Sequence, residues 1–327
     1  MQIYTHWQGL DPSARGASVA MGNFDGVHIG HQSVIELARA QGPLGIITFE
    51  PHPREYFAPD APPFRLMNAE ARANRLAKLG VQHLFELPFD ADMASFTPEG
   101  FAKTVLCQGL GISHVVVGAD FCFGKGRVGG IADLQRLGAD LGFKVTIADL
   151  VKVADHEISS TAIRQALSDG RPRDAAAMLG HWHRIEGEVI HGEKRGRELG
   201  YPTANMSVNG LHLPKFGVYA VKVNVLTGPQ AGSYMGAASL GVRPMFGVNT
   251  PNLETYLLDF KGDLYGQHLS IGFVDYLRPE LKFDGLPALI TQMDADCAKA
   301  VYFLLSDYAS EITGAMLDVN GGDWVAA

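Results

Sequence analysis

The chain has 327 residues, 46% of them hydrophobic and 19% charged, with a formal net charge of −8. That length favours two domains, and that composition belongs to a globular protein able to bury a sizeable core. The acidic balance and the lack of a basic cluster argue against a nucleic-acid partner. No apolar run is long enough to span a membrane, and three scattered cysteines (Cys107, Cys122, Cys297) fit reduced thiols in a cytoplasmic protein better than a disulfide framework.

Residues 1–7 lack the basic and apolar regions of a signal peptide. Residues 17–21 read as a strand and 33–40 as a helix. Between them stands Gly22-Asn23-Phe24-Asp25-Gly26-Val27-His28-Ile29-Gly30-His31. His28 and His31 are three residues apart at a helix start and share one face. The helix start adds unpaired N–H groups and the positive end of its dipole, and the glycines let backbone approach a ligand. Together these features describe a polyphosphate site. The plainer reading is a glycine-rich turn with one capping and one surface histidine.

Residues 44–49 read as a buried strand running into Glu50-Pro51-His52-Pro53, a rigid turn that either aims His52 at the site or leaves it at the surface. A helix over 69–79 stopped by Gly80, a strand over 83–87 and a helix capped by Thr97 with Pro98 in first position follow. A strand over 114–117, a helix over 133–141 and a strand over 144–148 complete the series. Apolar strands alternating with helices imply a Rossmann-like α/β domain, its parallel sheet covered on both faces and its ligand at the carboxyl ends of the strands.

The loop 118–129 matches Gly-x-Gly-x-x-Gly at Gly124, Gly126 and Gly129. It begins six residues past the strand and no helix is expected to open on it, so a dinucleotide fingerprint is rejected. A P-loop also fails, because the spacing from Gly118 is one too long and no Ser or Thr follows Lys125. Phe121 and Phe123 either cover a flat aromatic ligand or pack in the core. Further on, Ser159, Ser160 and Thr161 offer hydroxyls at a helix start, with Arg164 a turn later. Alone that is a plain N-cap; beside a polyphosphate site it offers phosphate donors and a cation.

Short helices over 158–180, broken at Asp169-Gly170-Arg171-Pro172, read as a linker. Strands are then expected over 218–225, 254–260 and 268–274, with turns at 227–229 and 261–263, before a helix over 287–305. That order implies an antiparallel β-barrel or sandwich with a C-terminal helix. In Gly196-Arg197-Glu198-Leu199-Gly200-Tyr201-Pro202-Thr203-Ala204-Asn205, Thr203 and Asn205 alternate and present neutral oxygens to one side, a donor set suited to Mg²⁺ carried with ATP. Gly192, Gly196 and Gly200 let backbone reach a nucleotide; a turn with an Asn cap is the plainer reading. Glu254, at a strand start, is either a solvated edge charge or a base for an attacking hydroxyl.

The His-x-Gly-His arrangement resembles the nucleotidyltransferase superfamily, which attacks the α-phosphate of ATP and releases pyrophosphate. Six motifs in order, GNFDGVHIGHQ at 22–32, TFEPHPRE at 48–55, VGADFCFGKGRVG at 117–129, ISSTAIR at 158–164, GRELGYPTAN at 196–205 and LETYLLDFKGDLYG at 253–266, resemble the prokaryotic bifunctional riboflavin kinase/FMN adenylyltransferase family. The resemblance runs from about residue 17 to residue 308. It implies an adenylyltransferase domain with helical linker over 1–180 and a kinase barrel over 181–313; the tail over 314–327 is assigned no role. Riboflavin, FMN, FAD and ATP would be its ligands, with Mg²⁺.

By the same resemblance His28, His31 and Arg164 stabilise charge in the adenylyl step, and Glu254 is the kinase base. Gly22, Phe24, Asp25, Gly26, Gly30, Ser159, Ser160, Thr161, Gly196 and Gly200 contact nucleotide. His52, Asp120, Phe121, Phe123 and Arg127 contact flavin, and Thr203 and Asn205 hold the metal with ATP. Asn68, Ala162, Met245 and Tyr256 depart from residues common in the family. Two rivals stand beside this reading: another nucleotidyltransferase with an unrelated second domain, and a flavin-binding regulator without activity.

Overall fold

The computed structural model describes residues 1–149, 152–153, 156–192, 200–245 and 248–305. Its internal contacts divide into two units: residues 1–62 with 72–158, and residues 63–71 with those from 159 onward.

In the first unit, strands β1 (Gln2–Tyr4), β2 (Ser18–Met21), β3 (Leu44–Glu50), β4 (His83–Pro88), β5 (His114–Gly118) and β6 (Lys144–Ala148) form one sheet ordered β1-β4-β3-β2-β5-β6. Every neighbouring pair is parallel. The central strands are apolar on both faces, as a doubly covered sheet requires. Helix α1 (Ile29–Arg39) packs on β2, β3 and β5. Short helices α2 (Pro53–Phe57), α4 (Ala91–Ser95) and α5 (Pro98–Gly100) lie between strands, and α3 (Ala69–Lys78) precedes β4. Thr97 caps α5, accepting from the Gly100 N–H at 3.1 Å, with Pro98 in first position. The helix then runs on over Phe101–Leu110 with wider π-type turns, and α6 is Ile131–Leu141. Phe101, Val105 and Leu106 meet Val19, Met21, Val115 and Val117 in the largest apolar cluster of this unit. The strand sequence reverses direction between β2 and β5. The loops after those two strands therefore flank the crevice where open parallel sheets take ligands. A small hairpin, β7 (Lys152–Val153) with β8 (His156–Glu157), closes the unit.

In the second unit, helices α7 (Ser160–Ser168) and α8 (Pro172–Leu179) precede six strands: β9 (Arg184–Ile190), β10 (Thr203–Ser207), β11 (Gly217–Val225), β12 (Gly232–Met245), β13 (Val248–Leu257) and β14 (His268–Arg278). They close into an antiparallel barrel ordered β10-β13-β12-β11-β14-β9. Closure resolves the barrel-or-sandwich alternative and leaves no bare sheet edge. Met206, Val221, Val223, Ala238, Leu253, Leu257, Ile271 and Phe273 fill its interior. Helix α9 (Leu286–Leu305) lays Ala300 and Leu304 over Ala220, Ala237 and Val274 on the outer face. The buried Asp296 fastens this helix to Arg278 through hydrogen bonds of 2.7–3.0 Å.

Candidate active sites

The loop after β2 is held in an uncommon conformation. Phe24 and Val27 have φ of +52° and +44°, and Gly26 has +87°. A β-branched residue in the left-handed region is strained, so the surroundings must hold it there. Gln32 Nε2 donates to the Val27 carbonyl at 2.9 Å and the Gly22 N–H donates to the Ile47 carbonyl at 3.1 Å. The Phe24 side chain and Asp25 are buried.

His28 is the N-cap of α1, its Nδ1 accepting from the His31 N–H at 3.2 Å. The two imidazoles stack with centroids 3.6 Å apart and planes 15° apart. A Cβ on Gly30 would lie 3.2 Å from the His28 ring, so glycine makes room for the stack. Burial first, then the neighbouring His28, holds the His31 pKa well below the usual histidine value. His31 is therefore neutral near pH 7, and its buried Nδ1 has no partner. The pair stands at a helix N-terminus, a setting that favours an arriving anion.

Around this loop the other expected residues take distinct places. His52 caps α2: its Nδ1 accepts from the Arg54 N–H at 3.0 Å while Glu55 accepts from its backbone N–H at 3.1 Å. Phe123 is buried against Phe101, and Phe121 stacks on it at 5.7 Å. Asp120 and Arg127 are exposed. The helix expected over 133–141 opens at Ile131, just past loop 118–129. The glycines serve packing there: a Cβ on Gly124 or Gly129 would come within 2.7 or 2.8 Å of Pro98. Sequence reasoning missed a row of rings beyond β3 and β4. Phe57, 68% exposed, lies edge-on to Phe89 at 5.7 Å, Phe89 to Phe49 at 5.6 Å, and Phe49 approaches Phe101 at 6.4 Å. Its signal was the spacing of aromatics around both strand ends.

Ser159, Ser160, Thr161 and Arg164 fall in the second unit. Ser159 caps α7, accepting from the Ala162 N–H at 3.2 Å; Ser160 is half-buried and Thr161 exposed. Arg164 Nε donates to the Phe64 carbonyl at 2.6 Å, and its guanidinium lies 5.5 Å over the Phe64 ring. The segment 63–71 that supplies this support also caps α3 through Asn68, whose Oδ1 accepts from the Ala71 N–H at 2.9 Å. Asn68 Nδ2 donates to the Glu186 carbonyl at 2.9 Å, and Glu70 meets His268 at 2.6 Å.

The barrel gathers the remaining set. Leu253 and Leu257 point inward, so Asn252, Glu254 and Tyr256 point outward by alternation. On β10, Ala204 and Met206 point inward, which turns Thr203 and Asn205 outward. Register sets Asn205 opposite Glu254 and Thr203 opposite Tyr256. Asn252, which sequence reasoning passed over, joins the two candidate side chains: its Nδ2 donates to Asn205 Oδ1 at 2.9 Å and to Glu254 Oε1 at 3.2 Å. Glu254 and Asn205 are both buried. A Cβ on Gly192 would lie 2.6 Å from Asn205 Nδ2, so a larger residue there would push the Asn205 amide from its place. Gly200, at φ +81°, turns the chain into β10. Gly196, the side chain of Met245 and residues 314–327 lie outside the described residues.

The arrangement thus brings together Thr203, Asn205 and Glu254 on one barrel face, and Gly22, Phe24, Asp25, Gly26, His28, Gly30 and His31 in one loop. Among the described residues no group of three His, Cys, Asp or Glu could hold a metal ion, and no helix is long and apolar enough to cross a membrane.

Comparison with known proteins gives two family matches: FAD synthetase over residues 10–162 and riboflavin kinase over residues 179–304. The chain is 39% identical to a bifunctional riboflavin kinase/FMN adenylyltransferase of Pseudomonas fluorescens, covering 92% of this chain and 97% of that one. It is 37% identical to the bifunctional riboflavin kinase/FMN adenylyltransferase of Escherichia coli K12, covering 86% and 90%. Among solved structures, one described as a macrolide-efflux protein from Streptococcus pneumoniae aligns with a TM-score of 0.74 at 30% identity, over 90% of this chain and 96% of that one.

Proposed function

The chain belongs to the bifunctional riboflavin kinase/FMN adenylyltransferase family, and we propose that the barrel phosphorylates riboflavin to FMN while the first unit's β2 loop serves adenylylation of FMN to FAD. It is an enzyme of flavin cofactor synthesis that uses ATP. One observation carries the division of labour. The barrel face holds a buried carboxylate, Glu254, beside Asn205 and Asn252, whereas the β2 loop offers two stacked imidazoles at a helix N-terminus.

In the kinase step the nucleophile is the terminal ribityl hydroxyl. Glu254 accepts its proton as the oxygen attacks the γ-phosphorus of ATP, and ADP leaves. Asn252 donates to one Glu254 oxygen and so fixes the direction in which the carboxylate accepts. The neutral oxygens of Thr203 and Asn205 fit Mg²⁺, which keeps several waters and takes most other ligands from phosphate. Bound there, the ion would neutralise charge on the transferring phosphoryl group. In the adenylyl step the FMN phosphate attacks the α-phosphorus of ATP and pyrophosphate leaves. That phosphate has a second pKa of about 6 and is largely dianionic near neutrality, so no base is required. His28 and His31 donate to the phosphate oxygens that become pyrophosphate, and Arg164 neutralises charge on the nucleotide. The aromatic row ending at exposed Phe57, and Asp120, Phe121, Phe123, Arg127 and His52, supply the flavin contacts. We assign residues 1–180 to adenylylation and 181–313 to phosphorylation, in a cytoplasmic protein whose described cysteines are all free.

The test is direct. Incubation of the full chain with riboflavin, ATP and Mg²⁺, followed by chromatography of the flavins, should yield FMN and then FAD. Riboflavin recovered unchanged from folded protein would overturn the reading.

A further inference from the structure

The strand that carries Thr203 and Asn205 is tied to the C-terminal helix by a bond that the chemistry described so far does not use. Tyr201 stands two residues ahead of Thr203, between the left-handed Gly200 and Pro202. Its hydroxyl donates to Asp294 Oδ1 on α9. Its ring lies edge-on to that of Tyr256, with centroids 5.0 Å apart and planes at 60°. Tyr256 is the register partner of Thr203 and lies on the same outer face as Glu254. Asp294 in turn belongs to a helix that cannot slide freely. Two residues on, the buried Asp296 grips Arg278 of β14 at 2.7–3.0 Å, and Gln292 Nε2 donates to Asp296 at 2.9 Å.

We propose that Tyr201 and Asp294 form a latch that sets the start of β10 against α9, making both of them positioning residues for Mg-ATP in riboflavin phosphorylation. Pro202 has a fixed φ and no N–H, so the orientation of Tyr201 passes to Thr203 with little slack. The latch acts before phosphoryl transfer, on the geometry that receives the nucleotide. It therefore moves the KM for ATP and not kcat, since it touches no reacting atom. The proposal rests on the assignment of phosphorylation to the Thr203, Asn205 and Glu254 face.

The experiment uses the full chain. The KM for Mg-ATP and kcat of riboflavin phosphorylation are measured for Tyr201→Phe, Asp294→Ala, Asp294→Asn and the double variant Tyr201→Phe/Asp294→Ala, with adenylylation of supplied FMN as internal control. Loss of one hydrogen bond to a charged group at a partly solvated position should raise the KM by about three- to tenfold, with kcat within about twofold. Asp294→Asn keeps an acceptor oxygen and should restore most of the affinity. The double variant should be no worse than the weaker single one, because both remove the same bond. An unchanged KM in Tyr201→Phe, or additive losses in the double variant, overturns the latch. Glu254→Gln, run in parallel, separates the two readings. If it retains phosphorylation, the site assignment itself fails. If it is inactive while Tyr201→Phe behaves as the parent, only the latch fails.

Discussion

The two units handle the same co-substrate with opposite equipment. The first places its candidate site at the crevice of a parallel sheet, where a strained loop leads into a helix N-terminus with two stacked imidazoles. The second builds on the outer wall of an antiparallel barrel, where one carboxylate and two amides form a hydrogen-bonded row. The difference follows the nucleophile. On the proposed assignment, a hydroxyl with a high pKa must lose its proton during attack, and Glu254 on the barrel takes it. A phosphate that is already ionised needs only a partner for the charge that leaves. Equipment thus reads as a record of proton demand.

The sharpest way to break this comparison is Glu254→Gln. The amide keeps size and one acceptor but cannot take a proton near pH 7. Riboflavin phosphorylation should fall by about 10²–10⁴-fold while supplied FMN is still converted to FAD at near the parent rate, read by chromatography of both flavins. Retained phosphorylation would make Glu254 a strand-edge charge, and loss of both activities in a folded protein would couple the two sites.

The reciprocal change is His28→Ala with His31→Ala. Losing preorganised donors typically costs about 10²–10³-fold, so FAD formation from FMN should drop by at least that, with FMN formation spared. A double variant that still makes FAD at the parent rate removes the proposed role of the stack.

Asn252→Ala sharpens the picture inside the barrel. It leaves the base in place but frees its orientation and that of Asn205. By analogy with groups that orient metal ligands, a loss of about 10–100-fold in phosphorylation is expected, without effect on adenylylation. An unchanged kcat/KM would show that Glu254 needs no such guide.

How far these residues could be found without coordinates depends on what kind of signal each gives. The loop around His28 was legible because a dense motif sits at a strand-to-helix junction, and the parallel sheet was legible because its central strands are continuously apolar. β1, at three residues, is too short to show a period. β12 is built largely of Gly, Ala and Ser, whose alternation carries little contrast. Asn252 was illegible for another reason: an asparagine on a strand acquires meaning only once register sets Asn205 across from Glu254. The same holds for Arg164, whose support by Phe64 joins positions a hundred residues apart in sequence.

The smallest effect concerns pH and touches both units. Each has an imidazole that desolvation keeps neutral, the half-buried His31 in the first and the buried His183 in the second. Burial, with His212 nearby, pushes the His183 pKa down to about 3, and its ring packs against Phe273. In the unfolded chain the same group titrates near about 6.5. As pH falls below that value the unfolded state takes up the proton first. Stability present above about pH 6.5 is therefore lost as pH falls toward 3, at up to about 1.4 kcal/mol per pH unit for one such group. Urea midpoints at pH 7.5 and pH 5.0 should differ less in His183→Gln than in the parent. An equal difference would assign the acid sensitivity elsewhere.

The short segment 63–71 has a consequence for anyone who would splice this enzyme. It is numbered inside the first family match, yet Phe64 supports Arg164, Asn68 meets Glu186, and Glu70 meets His268. A chimera made by joining one relative's first 180 residues to another's remainder looks clean on paper. It would separate Asn68 from Glu186 and Glu70 from His268 by ancestry and mate each surface with a stranger. A recombinant designed to exchange barrels should carry residues 63–71 and all residues from 159 onward from the barrel's own parent, so that the unit inherited is the one that folds together and not the one that reads together.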